Sequence, residues 1–238
     1  MHTLLPPRFE GEERSHYVAS PRAKRAFRTV LDAQLLFREP GQTVVEHRLT
    51  GAGSERRLEI VSRHQLARGT LTESSVLEAD CVLRPLTFER QVTMADGTTA
   101  RHERIDFTKG LLPFPEGTYP EVLIPFLLRF QPFDGTRRST HAWVTDRFVA
   151  RVYYESSRKP HRCLVPVGTV ETWEVVMYPD LSDWVKIGAI LTDLVKPLIP
   201  KYHMWFEVAA PHRLVRFEGP YGPPGAPELV LELSRVER

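Results

Sequence analysis

The sequence has few cysteines and no long apolar run. Its two cysteines, Cys81 and Cys163, lie far apart and outside any CxxC pattern. A disulfide scaffold is therefore not expected, and both residues are predicted to be reduced, buried thiols. No stretch reaches the roughly 18 consecutive apolar residues of a membrane-spanning helix. The N-terminal residues also lack a basic start followed by an apolar run, so no secretory signal is predicted. We expect a soluble, cytoplasmic protein without a transmembrane segment, periplasmic only if a leader had been trimmed away.

An excess of charge of one sign is missing as well. The chain has 32 Lys and Arg against 30 Asp and Glu, a net charge of +2. This balance is unsuited to a protein built around phosphate contacts. The one local basic cluster, Arg22 to Arg28, is too small to indicate more than a solvated surface. We therefore predict no nucleic-acid partner.

Motifs for cofactors, metals and nucleophilic catalysis are absent too. The sequence contains no GxSxG, P-loop or GxGxxG pattern, which leaves serine-hydrolase and nucleotide-binding functions without support. None of the nine histidines belongs to an HxH or HExxH pair. His161 and Cys163 could share a strand face, but this is a weak metal signal without further cysteines. We predict no metal and no cofactor.

Frequent turn signals are what the sequence does have. With 42% hydrophobic and 26% charged residues the composition is globular, and 20 prolines disfavour long helices. One hairpin is predicted from Leu31–Phe37 through the Pro40-Gly41 turn to a return strand at residues 45–49. A second pairs residues 83–94 with 98–107 around Asp96-Gly97, a strong hairpin signal. Further strands are predicted at 56–66, 70–78, 140–154, 161–167, 170–178, 201–208, 212–218 and 228–235.

These roughly twelve strands predict a mainly β protein with a single curved antiparallel meander, either a half-barrel or an open barrel. Residues 1–26 are polar and proline-rich and are expected to form an arm. Residues 27–238 are expected to form one β-rich domain.

Two helical segments are expected to interrupt the meander. Residues 120–130 are apolar almost all round, which predicts a buried helix, with a kink at Pro125. Residues 182–196 have an apolar stripe that begins at Trp184, opposite a charged face, which predicts an amphipathic helix. That helix can pack over the sheet, cap a cavity, lie on a membrane surface or dock a partner.

Several strand and turn signatures resemble an uncharacterised bacterial β-rich family. They are Leu83–Glu89 followed by Ala95–Thr98, Val165–Thr172, Lys201–Phe206, Pro211–Gly219 and Glu228–Leu233. The family is similar in outline to the periplasmic lipoprotein carriers, whose curved antiparallel sheet wraps around helices and holds acyl chains. The resemblance implies a half-barrel fold. It transfers no site residue, because its motifs are structural rather than catalytic.

A half-barrel of this size cannot fill its interior with strand side chains alone, so it needs a plug or a ligand. Aromatic side chains are candidates to line such a space, although each of them can equally be ordinary core. The ligand-binding candidates are Trp143, Tyr153, Trp173, Trp205, Phe126 and Trp184.

The best acid/base candidates lie on the predicted strand 201–208. Alternation puts His203, Trp205 and Glu207 on one face, and Glu174 is a weaker candidate on a neighbouring strand. A histidine and a carboxylate beside a stacking ring can act as an acid/base pair. If that face is exposed, the same residues are an ordinary surface with one tryptophan.

Three functions remain open from the sequence. The leading one is a soluble binding protein that holds a hydrophobic small molecule, lipid or acyl chain in a β-lined cavity. The alternative is a cofactor-independent enzyme, such as a cyclase or isomerase, acting on a hydrophobic metabolite in the same cavity. The third is a structural partner that docks through 182–196.

Overall fold

The alternating segments become fourteen strands of one sheet in the computed structural model, which describes residues 4–7, 9–22, 39–79, 83–109, 114–145, 148–180, 201–222 and 226–237. The strands are β1 (Gly11–Pro21), β2 (Gly41–Thr50), β3 (Arg57–Leu66), β4 (Gly69–Ala79), β5 (Leu83–Met94), β6 (Thr99–Asp106), β7 (Thr118–Pro120), β8 (Arg138–Thr145), β9 (Phe148–Ser156), β10 (His161–Val165), β11 (Gly168–Pro179), β12 (Tyr202–Glu207), β13 (Leu214–Pro220) and β14 (Glu228–Glu237).

The sheet is a curved and almost wholly antiparallel meander. Its order is β6-β5-β4-β3-β2-β1-β14-β13-β12-β11-β9-β8-β7, with β10 paired to β11 beside this path. Among the pairings of the described strands, β7–β8 is the parallel one. The two ends of the sheet approach each other, since Tyr119 Oη on β7 donates to the Leu83 carbonyl on β5 over 2.7 Å. The predicted fold class, a mainly β open curved sheet, is confirmed.

The hairpin predicted around Asp96-Gly97 is confirmed. The Met94 amide donates to the Thr98 carbonyl over 2.8 Å, and the Asp96 carboxylate accepts from the Thr98 amide over 2.9 Å. Gly97 has φ +84°, which glycine adopts without steric cost. The single strand predicted at 140–154 is wrong, because β8 and β9 share that range. Between these strands the sequence has neither glycine nor proline to signal that the first one ends.

The predicted arm at residues 1–26 is also wrong for residues 11–21. They form β1, which lies in the middle of the sheet between β2 and β14. Alternate residues of β1 are buried, but two of them, Glu13 and Ser15, are polar. The inward face therefore lacked the apolar alternation that predicts a strand.

A short helical segment, residues 121–130, packs inside the curved sheet. One α-helical turn, Ile124–Leu127, stands between the 3-10 turns Glu121–Leu123 and Leu128–Phe130. Its apolar side chains are buried in the same core as the inward residues of the strands, so the predicted buried helix is confirmed. Pro125 sits in the first α-helical turn rather than at a kink, since its missing amide has no partner to lose there.

Some predicted elements lie outside the described residues. These are the strand 31–37, Cys81 and the amphipathic helix 182–196. In the described part of the chain, no helix has both the length and the apolar character needed to cross a membrane.

Candidate functional site

The concave face of the sheet carries many buried polar side chains. They alternate with outward residues along four adjacent strands, β1 to β4, where a core-facing strand normally carries apolar residues. The buried polar residues of these strands are Glu13, Ser15, Thr43, His47, Ser62, His64, Glu73 and Ser75. Burying a polar group costs free energy unless the group is hydrogen-bonded. The hydrogen-bond partners of these residues therefore identify the clusters in which a functional site can lie.

One group of residues lies where the two ends of the sheet meet. We call Glu73, Phe88, Arg90, Glu121 and Trp143 the seam cluster. The ring centroids of Phe88 on β5 and Trp143 on β8 are 5.8 Å apart, edge to face. The Arg90 guanidinium lies 5.4 Å from the centre of the Phe88 ring. Glu121 follows the residue that pairs with Trp143 at the end of β7, so the cluster bridges β5, β8 and the helical segment.

Arg90 is surrounded by three carboxyl groups. Its Nε donates to Glu73 Oε1 over 2.8 Å, while Nη1 lies 3.7 Å from Glu103 Oε2 and Nη2 lies 3.7 Å from Glu121 Oε1. Burial raises the pKa of Glu121 to about 8, against the opposing effect of Arg90. Glu121 is therefore protonated and uncharged at neutral pH. Its Oε2 atom is buried and finds no hydrogen-bond partner among the described residues.

A chain of hydrogen bonds leads from the seam cluster into the sheet. Tyr221 Oη donates to Glu73 Oε2 over 2.7 Å and lies 2.6 Å from His64 Nε2. Because the tyrosine proton goes to Glu73, His64 Nε2 must donate to Tyr221 and His64 Nδ1 must accept from Thr43 Oγ1, 2.8 Å away. Burial lowers the pKa of His64 to about 4, so the ring is neutral. Thr43 thus donates to His64, His64 donates to Tyr221, and Tyr221 donates to the buried carboxylate of Glu73.

A second buried group fixes the helical segment to the sheet. We call Glu13, Arg129, Arg213 and Glu207 the ion cluster. Glu13 accepts from Arg129 Nη1 and from Arg213 Nε, each over 2.8 Å. Arg213 Nη1 also donates to Glu207 Oε2 over 2.8 Å. The ion cluster therefore links the helical segment to β1 and to the end of β12.

The predicted catalytic residues are only partly brought together. His203 Nδ1 lies 2.8 Å from Glu174 Oε1, and the His203 ring stacks on Trp205 with centroids 6.0 Å apart. His203 and Trp205 are partly exposed on the face of β12 opposite the buried Met204, and Glu174 lies across from Trp205 on β11. Glu207 does not join them, because its carboxylate is bound to Arg213 in the ion cluster.

The predicted ligand-binding aromatics are dispersed. Trp143 belongs to the seam cluster and Phe126 is buried in the helical segment. Trp173 stacks on Phe133, with ring centroids 6.3 Å apart. Tyr153 lies under the Arg137 guanidinium, which is 4.1 Å from its ring centre. Trp205 is on the other sheet face, and Trp184 lies outside the described residues.

Sequence reasoning missed most of the seam cluster and its hydrogen-bond chain. The available signal was the phase of alternation. Glu73 has the same parity as Leu71 and Leu77 on one predicted strand, so it shares their buried face. A charged residue at an inward position is rare unless it is paired. Glu73 was thus detectable, whereas its partner Tyr221 is 148 positions away in the sequence.

Replacing Glu121 by Gln is expected to make stability less dependent on pH. The folded-state pKa of about 8 exceeds the usual value of 4.5, so between these values only the folded chain holds the proton. The stability of the wild-type chain therefore falls through this group as pH rises across that range. We expect the free energy of unfolding of Glu121→Gln, relative to that of wild type, to increase from about pH 5 to about pH 8. Urea unfolding at several pH values measures this difference. The exposed Glu155→Gln is the control, and equal pH profiles for the Glu121 variant and wild type would contradict the raised pKa.

Comparisons with known proteins give structural neighbours of low identity. No family model matches the chain, and no curated protein does. The chain is similar to a beta-barrel-like protein of a domain of unknown function from Brucella abortus, at 14% identity and TM-score 0.49, with 99% of each chain covered. It is also similar to a predicted lipoprotein from Parabacteroides distasonis, at 12% identity and TM-score 0.35, with 100% of each chain covered. A predicted exported protein with a YmcC-like fold from Bacteroides fragilis is similar at 12% identity and TM-score 0.33, with 100% of each chain covered. β-rich proteins of unknown function are thus among its neighbours, and the resemblance to lipoprotein carriers stays a prediction.

Proposed function

We propose that the chain is a binding protein for an apolar small molecule or acyl chain that carries one uncharged hydrogen-bonding group. The group would be held at the seam cluster, on the concave side of the sheet. The observation that supports this proposal is a pair of unsatisfied atoms. Glu121 Oε2 and Trp143 Nε1 are both buried and have no hydrogen-bond partner among the described residues.

The cost of such atoms favours a ligand. A buried polar atom without a partner costs about 1–3 kcal/mol, and native proteins keep few of them. Hydroxyl, amide and carbonyl groups have the chemistry to partner these atoms, since Trp143 Nε1 donates and a protonated carboxyl can donate or accept. Phe107, which is only partly buried and whose ring contacts Trp143, would lie against the rest of the molecule.

Charge at the seam cluster favours a neutral ligand group over an anion. Arg90 already donates to Glu73, and Glu103 lies on its other side. A carboxylate or phosphate would have to compete with these two acidic groups for one guanidinium. An uncharged group avoids this repulsion, and the protonated Glu121 suits it.

The alternative, a cofactor-independent cyclase or isomerase, has weaker support. The hydrogen-bond chain through His64 and Tyr221 offers neutral donors near a carboxylate, as acid/base chemistry requires. However, both nitrogens of His64 are already engaged and its side chain is fully buried. The partly exposed His203–Glu174 pair lies outside the concave face.

Native mass spectrometry of the full chain, followed by denaturing extraction, tests the proposal directly. We expect a discrete apolar compound, or saturable binding of the uncharged probe Nile red by the chain once emptied. Trp143→Phe keeps the ring but removes the Nε1 donor, so the bound compound should bind about three- to tenfold more weakly. Trp205→Phe is the matched control and should not change its affinity. A chain that carries no apolar compound and does not bind Nile red would overturn the proposal.

A further inference from the structure

The two ends of the sheet face each other without strand pairing. The sheet order begins at β6 and ends at β7, and no described residue of β5 or β6 pairs with β7 or β8. We call this line the seam. Strand β6 pairs with β5 only over Thr87–Thr93, while β4 pairs with β5 from Leu83 onward. The first residues of β5 therefore have β4 on one side and the seam on the other.

Side chains bridge the seam where a backbone ladder is missing. Tyr119 Oη donates to the Leu83 carbonyl over 2.7 Å, and both residues are buried. The rings of Phe88 on β5 and Trp143 on β8 meet edge to face across the seam. Phe107, which follows β6, also packs edge to face against Trp143, with ring centroids 6.1 Å apart. The contacts that close the seam are thus made by side chains.

Opening the seam breaks fewer backbone hydrogen bonds than separating most neighbouring strands. Strand β3, for example, pairs with β4 at every position from Arg57 to Leu66, and separating the two would break this whole ladder. Strand β7 pairs with β8 only over Thr118–Pro120, so the strand that carries Tyr119 is itself held by a short ladder. Local opening of a folded chain follows the contacts that cost least to break. These features favour opening of the sheet at the seam.

The seam also lies beside the groups proposed to hold the ligand. Trp143, whose buried Nε1 has no hydrogen-bond partner among the described residues, is one of the residues that bridge it. Glu121 follows directly after β7. The rings of Phe107 and Phe114 have centroids 5.4 Å apart, and both side chains are only partly buried. They give the seam an apolar border next to Trp143, which suits the passage of an apolar molecule.

We propose that the sheet opens at the seam, that Tyr119 is the latch of this opening, and that a ligand reaches the concave face through it. When the seam opens, Tyr119 Oη exchanges the Leu83 carbonyl for water, and Phe107 separates from Trp143. The passage of a ligand rests on the proposed function, whereas the opening is a property of the chain alone. The two are therefore tested separately.

Thiol labelling tests the opening without a ligand. Ala142 is 4% exposed and is the cross-strand partner of Tyr119, so Ala142→Cys reports on access to the seam. The full chain for this experiment also carries Cys81→Ser and Cys163→Ser. We expect Tyr119→Phe to speed maleimide labelling at position 142 about three- to tenfold, because a hydrogen bond that opposes opening is lost.

Tyr17→Phe is the matched control. Tyr17 Oη also donates to a backbone carbonyl, that of Leu214, over 2.9 Å. This bond joins β1 to β13, the two neighbours of β14 in the continuous part of the sheet. Its loss lowers global stability in the same way but leaves the latch intact. The labelling rate at position 142 should therefore change by no more than about twofold.

Binding kinetics of Nile red test the route. The latch is lost in the free and the bound chain alike, so Tyr119→Phe should raise the association and dissociation rates together. We expect each rate to rise about three- to tenfold and Kd to stay within about twofold of wild type. Stopped-flow fluorescence measures both rates, and Tyr17→Phe should leave them unchanged.

The outcomes separate the opening from the ligand. Labelling at position 142 that is no faster in Tyr119→Phe than in Tyr17→Phe would refute the latch and the opening at the seam. Faster labelling with unchanged Nile red rates would support the opening and refute the route. A chain that does not bind Nile red would refute the passage of a ligand, and labelling alone then decides the opening. Circular dichroism checks that every variant is folded.

Discussion

Replacing Glu13 by Gln is expected to lower the free energy of unfolding by about 3–5 kcal/mol, the usual cost of breaking a buried ion pair by removing one partner. The Glu13 side chain is 5% exposed and accepts from Arg129 and from Arg213. Gln keeps the size of the side chain but leaves Arg129 as a buried charge without a carboxylate. The loss should appear as a lower midpoint in urea unfolding.

Glu12 provides the control for this experiment. It precedes Glu13 on β1, but its side chain is 39% exposed and paired at the surface with Arg48. Glu12→Gln should change the free energy of unfolding by no more than about 1 kcal/mol. If the two variants lost similar stability, the ion cluster would not be what holds the helical segment in place.

Replacing Trp143 by Ala is expected to cost about 3–5 kcal/mol of stability, because it leaves a large cavity in a packed core. The Trp143 ring is almost fully buried. It packs edge to face against the rings of both Phe88 and Phe107. Since Phe88 and Trp143 lie near opposite ends of the sheet, the variant also loosens the seam. Urea unfolding measures the loss.

Trp205→Ala is the matched comparison. Trp205 is only partly buried, on the outer face of β12, where it stacks on His203 and lies near Arg216. Less surrounding structure depends on this ring, so its removal should cost less than half as much as the Trp143 change. Equal losses would mean that the small cluster of Cys163, Val165 and Val215, against which Trp205 packs, contributes as much stability as the seam cluster.

The fold was predictable where local signals agreed with the final structure. Asp96-Gly97 predicted a hairpin because that pair specifies a turn by its own backbone preferences. Residues 120–130 predicted a buried helix because they are apolar almost all round. Both signals act over a few residues and do not depend on the rest of the chain.

The candidate site was much less predictable, because its contacts join distant strands. Glu73 receives a hydrogen bond from Tyr221, and no local pattern relates two positions so far apart. Polar residues on inward faces also imitate outward ones. For this reason β1, with Glu13 and Ser15 on its inward face, was not predicted as a strand. His203 was a catalytic candidate because it alternates with Trp205 and Glu207 on one strand, and its actual partner is Glu174 on β11. Their 2.8 Å contact exists, but on the other face of the sheet.

The central position of β1 has a consequence for the order of folding. Strands β1 to β6 are paired with one another in chain order, and so are strands β11 to β14, so each of these two runs can form from local contacts. Joining the two runs requires β1 to pair with β14, where contacts such as Ser234 with His16 span 218 positions. Such distant pairing is slow, because a long loop must close first. Until this pairing forms, β1 and β14 are open edges that can pair with other chains, so the interval before it is the period of greatest aggregation risk.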